Sequence, residues 1–200
     1  MQAVICDLFD VLFLPGDPTR HREYETRLGL PERGLRQAML RSPIFVQALR
    51  GQVSEEQLWR DVAQNIGDDP AQWAQIADTF YSAIRLNKEL ADFLRSLRPR
   101  YRTAILSNAP DGICAWIQRF QLDQAVDEVV ISAEVRVSKP YPDIFQIAAN
   151  RLGVQPEQTI FIDDEPRFIE GAQAVGMTGV LFIDTPQAIA QVRTCLASHP

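Results

Sequence analysis

Short apolar runs, separated by stretches with helical periodicity, dominate the pattern of this chain. Four such runs lie at residues 3–6, 103–106, 129–131 and 159–162, and only a leading threonine in two of them is polar. Runs of this length without polar alternation are typical of strands that are buried on both faces of a parallel sheet. The pattern therefore predicts an α/β fold.

Predicted strands and helices alternate along most of the chain. The predicted strands cover residues 3–8, 102–107, 128–132, 159–163 and 179–183. The predicted helices that alternate with them cover residues 88–98, 111–121, 142–152, 166–175 and 186–197. This alternation is typical of a doubly wound, Rossmann-like parallel sheet.

The segment between the first strand and residue 88 differs, because its pattern is helical and contains no predicted strand. A turn is predicted around residues 15–18, Ser54 and Gln57 fit a helix-capping box, and Pro70 suits the first turn of another helix. We therefore expect two domains. Residues 1–14 and 86–200 would form the α/β core, and residues 15–85 would form a small helical cap over the edge of the sheet.

Polar side chains follow four of the predicted strands at or near the point where each strand ends. They are Asp7, Ser107 with Asn108, Lys139 with Pro140, and Asp163 with Asp164. The carboxyl ends of parallel strands share one edge of a sheet, and ligands bind at that edge. We therefore expect a hydroxyl, an ammonium and several carboxylates to converge in one crevice.

Lysine usage distinguishes one of these positions. Of the 20 basic residues, all except Lys88 and Lys139 are arginines. A lysine in such a chain indicates a site that needs a compact ammonium charge and not a planar guanidinium. We favour a function for Lys139 at the predicted sheet edge and assign none to Lys88, which lies early in a predicted helix.

Composition argues against several classes of protein. A chain of 200 residues with 46% hydrophobic residues and no low-complexity segment is not typical of a disordered protein. The formal charge of −6 and the lack of a basic block argue against nucleic-acid binding. No apolar run reaches the length of a membrane span. We expect neither a nucleic-acid nor a membrane partner.

The cysteines and the first residues indicate a compartment. Cys6, Cys114 and Cys195 are widely spaced and odd in number, which fits neither a disulfide framework nor a zinc site. The first residues show no basic and then apolar leader. We therefore expect a cytoplasmic protein with reduced thiols.

The four polar motifs, in this order and at these spacings, resemble those of the haloacid dehalogenase superfamily of hydrolases. Each motif alone is common, but the ordered set, followed by Gly171-Ala172 and Gly176, is specific and extends over essentially the whole chain. The chain is most similar to the small-capped, sugar-phosphatase-like branch, because residues 50–54 (Arg-Gly-Gln-Val-Ser) resemble a segment of its cap.

The resemblance implies phosphoryl transfer through a covalent aspartyl intermediate, with Asp7 as the nucleophile. A carboxylate that attacks a phosphate dianion needs a divalent cation between the two charges, and hard oxygen ligands suit Mg²⁺. The expected metal ligands are Asp7, the backbone carbonyl of Phe9 and Asp164.

The resemblance also implies a set of phosphate-binding groups. Ser107 and the backbone amide of Asn108 would donate hydrogen bonds to the phosphoryl oxygens. Lys139 would offset the charge of these oxygens and pair with Asp7 or with Asp163, a supporting residue. The expected catalytic residues are therefore Asp7, Ser107 and Lys139.

Two positions depart from the pattern of the phosphatases in this superfamily. In these phosphatases a second aspartate, two residues after the nucleophile, protonates the leaving oxygen. Phe9 occupies that position in this chain. The adjacent Asp10 could substitute for it only if the chain turns or bulges there, because consecutive residues of an extended segment point to opposite sides. Phe168 stands where an asparagine or aspartate usually orders the metal ligands. If both rings line one crevice, the site is drier and tighter.

Three functions compete on this basis. The first is a Mg²⁺-dependent phosphatase of a small phosphorylated metabolite, slowed by the missing acid. The second is a non-catalytic module that binds metal or phosphate. The third is a carbon–halogen hydrolase, in which an aromatic residue suits the position of Phe9, but the retained pair Asp163-Asp164 counts against it. We rank the phosphatase first and expect a monomer or a homodimer.

Overall fold

A parallel sheet forms the centre of the molecule, and the computed structural model describes residues 1–198. The strands in chain order are β1 (Ala3–Cys6), β2 (Phe13–Pro15), β3 (Ile84–Leu86), β4 (Arg102–Ser107), β5 (Glu128–Ile131), β6 (Thr159–Asp163) and β7 (Thr178–Leu181). Five of them pair in parallel in the order β5-β4-β1-β6-β7. The predicted α/β fold with a doubly wound sheet is confirmed.

The middle strand, β1, is fully buried. Its side chains alternate between the two faces of the sheet. Val4 and Cys6 belong to one hydrophobic cluster, whereas Ala3 and Ile5 belong to the cluster on the opposite face. Burial on both faces explains why this run has no polar alternation. The ends of β1 and of its neighbours β4 and β6 consequently lie side by side.

Helices fill the segment between β2 and β3, which we call the helical insertion (residues 19–81). They are α1 (Thr19–Arg27), α2 (Gly34–Arg41), α3 (Phe45–Leu49), α4 (Glu55–Ile66) and α5 (Trp73–Tyr81). The predicted capping box starts α4, since Ser54 and Gln57 exchange the expected hydrogen bonds. The helix predicted to start at Pro70 begins instead with a 3₁₀ turn (Pro70–Gln72), and α5 follows it.

The helices after β3 agree with the predicted ones to within two residues at each end. They are α6 (Lys88–Leu97), α7 (Ile113–Arg119), α8 (Ser132–Val135), α9 (Pro142–Leu152), α10 (Pro166–Ala174) and α11 (Thr185–Ala197). The short helix α8 is missing from the prediction, because a single turn has no recognisable period. No helix within residues 1–198 is long and apolar enough to cross a membrane.

The strands β2 and β3 form a two-stranded antiparallel ribbon that was not predicted from the sequence. Phe13 pairs with Leu86, and Pro15 pairs with Ile84. Strands of three residues are too short to show alternation, and Pro15 argues against a strand except at an edge. The ribbon brings together the two points at which the chain enters and leaves the helical insertion.

Two glycines allow the helical insertion to contact the rest of the molecule closely. A Cβ atom on Gly51 would collide with the backbone carbonyl of Ala133, and one on Gly112 would collide with the carboxylate of Glu55. Gly51 also has a φ of 62°, a left-handed conformation that glycine adopts at little cost. The contacts hold the insertion against the side of the sheet on which β4 and β5 end.

Candidate active site

The carboxylate of Asp7 lies just beyond the carboxyl end of β1 and is buried. Its Oδ1 accepts a hydrogen bond of 2.7 Å from the backbone N–H of Leu8. The same oxygen lies 2.8 Å from Nζ of Lys139. The backbone N–H of Asp7 donates to the carbonyl of Ile162 in β6. These contacts hold the carboxylate in one orientation.

Lys139 links the ends of β1 and β6. Its Nζ lies 2.6 Å from Oδ2 of Asp163, and only 1% of its side chain is exposed, so water does not screen the pair. The ring of Phe168 covers the ammonium at 4.8 Å from its centroid. Burial lowers the pKa of Lys139, but the carboxylates of Asp7 and Asp163 raise it by more, and the net shift is upward. The two carboxylates therefore favour the charged form of Lys139.

The carboxylates beside Lys139 carry more negative charge than it neutralises. Burial and then the charge of Asp7 raise the pKa of Asp163 to about 7, although Lys139 and the backbone N–H of Glu165 oppose the shift. Burial, followed by the charge of Asp7, also raises the pKa of Asp164. Upward shifts of this kind indicate a site in which a further cation is favourable.

The donor set at this site fits Mg²⁺. One oxygen each from Asp7, Asp163 and Asp164 lies within 4.8 Å of the others. Mg²⁺ prefers carboxylate oxygens and usually binds one or two of them together with water. Asp7 and Asp164 are two of the three ligands expected from the sequence, and Asp163 joins them while pairing with Lys139. The third, the carbonyl of Phe9, belongs to the turn after β1.

Ser107 places a hydroxyl at the same edge, as the last residue of β4. The parallel register pairs Cys6 with Ile105, so Ser107 lies beside the chain that follows β1. Its Oγ is buried and has no hydrogen-bond partner among residues 1–198. An unsatisfied buried hydroxyl costs about 1–3 kcal/mol, which a bound acceptor would recover.

Asn108 connects the end of β4 to the segment that carries Lys139. Its Oδ1 accepts a hydrogen bond of 2.8 Å from the backbone N–H of Lys139, and its Nδ2 donates one of 3.0 Å to the backbone carbonyl of Lys139. Only the backbone amide of Asn108 was predicted to have a role, and these side-chain hydrogen bonds were not predicted. Asparagine readily forms such paired bonds to the backbone.

The chain turns directly after Asp7. Asp10 has a φ of 58°, in the left-handed region, and its backbone N–H donates to the carbonyl of Phe13. Its side chain is half-exposed, and its Oδ2 lies 3.9 Å from a guanidinium nitrogen of Arg36 in α2. The turn meets the condition under which Asp10 could replace the missing aspartate.

The two unexpected phenylalanines have different surroundings. Phe9 stacks on Tyr81 of α5, with ring centroids 6.5 Å apart and planes 20° apart, and it packs edge-on against Phe13. Phe168 instead covers Lys139. Of the two, Phe9 lines the cavity beneath the helical insertion and Phe168 does not.

A cavity of about 670 Å³ separates this edge from the helical insertion. On the side of the sheet its lining includes Phe9, Asp10 and Asn108. On the side of the insertion the lining is rich in aromatic, aliphatic and charged side chains. They include Arg22, Glu25, Glu32, Arg33, Arg36, Met39, Phe45, Phe80 and Tyr81. These residues were not predicted from the sequence, since they belong to no motif and only tertiary contacts bring them together.

Comparison with known proteins identifies relatives. A family model described as haloacid dehalogenase-like hydrolase matches residues 1–176. Fructose-1-phosphate phosphatase YqaB of Escherichia coli is 34% identical over 92 residues, which are 46% of this chain and 49% of that protein. (S)-2-haloacid dehalogenase 4A of Burkholderia cepacia is 30% identical over 102 residues, 50% of this chain and 44% of that protein. The chain thus spans about half the length of these curated relatives.

A solved structure shares the fold. It is a HAD family enzyme from Bacteroides thetaiotaomicron, in complex with magnesium and inorganic phosphate. The two chains superpose with a TM-score of 0.76 and 23% identity, and the alignment covers 90% of this chain and 93% of that one.

Proposed function

The chain belongs to the haloacid dehalogenase-like hydrolase family, and from that premise we propose that it is a Mg²⁺-dependent phosphatase of small phosphorylated metabolites. One observation carries the proposal. The unsatisfied hydroxyl of Ser107, suited to an anion, lies at the same sheet edge as the carboxylates of Asp7, Asp163 and Asp164, suited to a cation. A phosphate monoester bound together with a divalent cation satisfies both groups.

Asp7 is the proposed nucleophile. One of its carboxylate oxygens attacks the phosphorus atom and forms an aspartyl phosphate, while the bond between phosphorus and the leaving oxygen breaks. The Ser107 hydroxyl and the backbone N–H of Asn108 donate hydrogen bonds to the phosphoryl oxygens, and Lys139 offsets their charge. A water molecule then attacks the phosphorus, which releases inorganic phosphate and restores the Asp7 carboxylate.

The proposed ligands of Mg²⁺ are Asp7, the carbonyl of Phe9 and Asp164, with Asp163 close enough to contribute. Bound Mg²⁺ supplies charge neutralisation between the nucleophile and the phosphate dianion. The magnesium and phosphate complex of the Bacteroides enzyme with the same fold supports this part of the proposal.

Asp10 is the proposed proton donor to the leaving oxygen. It lines the cavity that would receive the leaving group, and it lies in a turn only three residues beyond the nucleophile. We further propose that residues 15–85 act as a cap domain, which contacts the leaving group and covers the site. An alkyl leaving group needs the proton more than an aryl one does.

Carbon–halogen hydrolysis is the second candidate. An aromatic side chain at Phe9 suits it, because a departing halide needs no proton, and the Burkholderia relative is a dehalogenase. The retained pair Asp163-Asp164 supports the phosphatase, since the attack on a neutral haloacid carbon requires no divalent cation.

Hydrolysis of para-nitrophenyl phosphate with and without Mg²⁺ tests the proposal. We expect turnover that depends on Mg²⁺ and is lost in an Asp7→Asn variant. A parallel assay measures halide release from 2-chloropropionate. Release of halide without any phosphatase activity would establish the second candidate. No turnover of either substrate by folded protein that binds Mg²⁺ would indicate a non-catalytic binding module.

A further inference from the structure

The side of the cavity formed by the helical insertion carries three arginines. Arg22 lies in α1, Arg33 directly before α2, and Arg36 in the first turn of α2. We call them the insertion arginines. All three are exposed and line the cavity.

Most arginines of the described chain contact an acid, a carbonyl or an aromatic ring. Those with such a contact outside the cavity are Arg20, Arg27, Arg50, Arg60, Arg85, Arg95, Arg98, Arg100, Arg102, Arg119, Arg151, Arg167 and Arg193. Within residues 1–198, by contrast, the side chains of Arg22 and Arg33 form no hydrogen bond or ion pair, and Arg36 only approaches Asp10 at 3.9 Å. Of the five arginines of the described chain that are not in this list, Arg22, Arg33 and Arg36 line the cavity, whereas Arg41 and Arg136 do not.

The buried carboxylate of Glu25 stabilises the backbone conformation of Arg33. Arg33 has a φ of 61°, a left-handed conformation that costs a non-glycine residue about 1–2 kcal/mol. The carboxylate of Glu25 stabilises it by accepting hydrogen bonds from the backbone N–H groups of Arg33 at 3.2 Å and Leu35 at 3.0 Å. Strain held in place by a buried side chain is typical of functional positions.

The acids that line the cavity do not cancel these charges. Glu25 is buried, and its two oxygens are occupied by backbone N–H groups. Asp10 lies 3.9 Å from Arg36, and Glu32, the remaining acid of the lining, forms no ion pair with Arg22 or Arg33 within residues 1–198. An acidic group of a ligand can therefore form charge-assisted hydrogen bonds with the insertion arginines.

The rest of the lining favours an apolar body between this acidic group and the phosphate. Phe9, Phe80 and Tyr81 contribute aromatic rings, and Met39 and Phe45 contribute further apolar surface. A polyol would find few hydrogen-bond partners against these side chains and would lose hydration there. The cavity volume of about 670 Å³ is ample for a substituted ring.

Building on the proposed phosphatase activity, we infer that the preferred substrate is a phosphate monoester whose leaving group combines an apolar body with a second acidic group. Arg33 and Arg36 bind the second acidic group, a carboxylate or a phosphate. Asp10, the proposed proton donor, lines the same cavity and lies 3.9 Å from Arg36.

The test compares esters that differ in one charge. Steady-state kinetics give kcat/KM for para-carboxyphenyl phosphate and for its neutral isostere, para-carbamoylphenyl phosphate, and para-phenylene bisphosphate shows whether a phosphate serves equally. We expect the wild type to prefer the charged esters at least about tenfold, the effect of one charge-assisted hydrogen bond. Arg33→Asn, whose asparagine accepts the left-handed backbone, and Arg36→Gln should each reduce the preference about tenfold through KM.

Arg41→Gln is the matched control. Arg41 lies at the end of the same helix α2, has no ion pair within the described chain and does not line the cavity. It should leave the preference unchanged. Equal kcat/KM for the charged and the neutral ester, with hydrolysis of both, would overturn the inference while the phosphatase activity stands.

A binding measurement separates the two possible failures. If no ester is hydrolysed, the proposed function fails, and calorimetry on the Asp7→Asn variant decides the inference. Tighter binding of the para-carboxyphenyl ester than of the para-carbamoylphenyl ester, reduced by Arg33→Asn and not by Arg41→Gln, would support it. Equal binding of the two esters would refute it.

Discussion

The two sides of the cavity differ in how their charges are arranged. On the side of the sheet the charged groups contact one another, since Lys139 lies within 2.8 Å of carboxylate oxygens of both Asp7 and Asp163. On the side of the helical insertion, the guanidinium of Arg33 forms no ion pair within residues 1–198, and that of Arg36 lies 3.9 Å from Asp10. One side is a closed network of buried charges, and the other is a set of exposed cations.

The difference shows how chemistry and selectivity can be divided between two parts of one chain. Groups that must keep one geometry benefit from mutual contacts, because a fixed arrangement needs no rearrangement during reaction. Groups that select a ligand gain most when the ligand supplies the missing partner. Changes to the first side should therefore affect folding and rate together, and changes to the second should affect affinity.

The largest effect is expected from Lys139→Met. Removing the cation leaves Asp7 and Asp163 buried side by side, which should lower the free energy of unfolding by about 3–5 kcal/mol and abolish hydrolysis of aryl phosphates. The pKa of Asp163 is already raised to about 7. The folded state thus binds the extra proton, and the stability of the variant should fall as the pH rises from about 4 towards about 8.

Urea unfolding at several pH values measures this effect, and Lys88→Met is the control. Lys88 is an exposed residue at the start of α6, and its replacement should change the free energy of unfolding by less than about 0.5 kcal/mol. A similar decrease in the free energy of unfolding for Lys139→Met and Lys88→Met would contradict the closed network of buried charges.

Phe9→Asp should raise activity. The new carboxylate would stand two residues after Asp7, the proposed nucleophile, where it could protonate the leaving oxygen, and general acids contribute about 10²–10⁴-fold to the rate. Because the stacking on Tyr81 is lost, we expect a gain of only about tenfold in kcat for an alkyl phosphate, and less for an aryl phosphate. Phe9→Asn loses the same ring but cannot give a proton, so it should show no gain.

Gly51→Ala tests the contact between the helical insertion and α8. Gly51 and Gly29 have similar left-handed φ angles, 62° and 65°, so alanine costs roughly 1 kcal/mol of backbone strain at either. Only Gly51 approaches the Ala133 carbonyl, whereas the space around Gly29 is open. We expect Gly51→Ala to destabilise the protein by about 1–2 kcal/mol more than Gly29→Ala does in urea unfolding. An equal decrease in the free energy of unfolding for the two variants would show that the close contact between Gly51 and Ala133 does not contribute to stability.

The smallest effect concerns Glu55, which accepts a hydrogen bond of 2.6 Å from the hydroxyl of Tyr81. Burial raises the pKa of Glu55 above its ordinary 4.5. The folded state binds the proton more tightly than the unfolded state does, so the charge of Glu55 reduces stability once the pH exceeds the folded pKa. Glu55→Gln should therefore be slightly more stable than the wild type at neutral pH.

That difference in stability should vanish below pH 4.5, where both side chains are neutral. Thermal unfolding of the two proteins across this range measures it. An advantage of the variant that grows as the pH falls would contradict the upward shift of the pKa.

The groups at the sheet edge were predictable because local sequence positions them. Asp7 follows one apolar run, and Asp163 ends another. The carboxyl ends of parallel strands lie at the same edge of the sheet, independently of the conformation of the connecting loops. The sequence contains no comparable signal for Arg33. Its place depends on Glu25, which lies eight residues away in α1, and a contact of this kind exists only after the two helices have packed.

The helices and strands, too, were predictable only where the local sequence determines them. Long apolar or periodic segments such as α9 and β6 were predicted with the same bounds that the structure shows. The ribbon of β2 and β3 was missed because pairing between Phe13 and Leu86 joins parts of the chain that are far apart in sequence. Three paired residues on each side carry too little pattern to indicate a strand alone.

The ribbon also has an evolutionary consequence. Because the chain leaves at Pro15 and returns at its partner Ile84, everything between the two residues occupies one gap in the α/β core. Insertions or deletions among these helices leave the spacing of the two ends unchanged. Descendants of this gene can thus exchange the part of the chain that is proposed to contact the leaving group and inherit the proposed nucleophile, Asp7, unchanged.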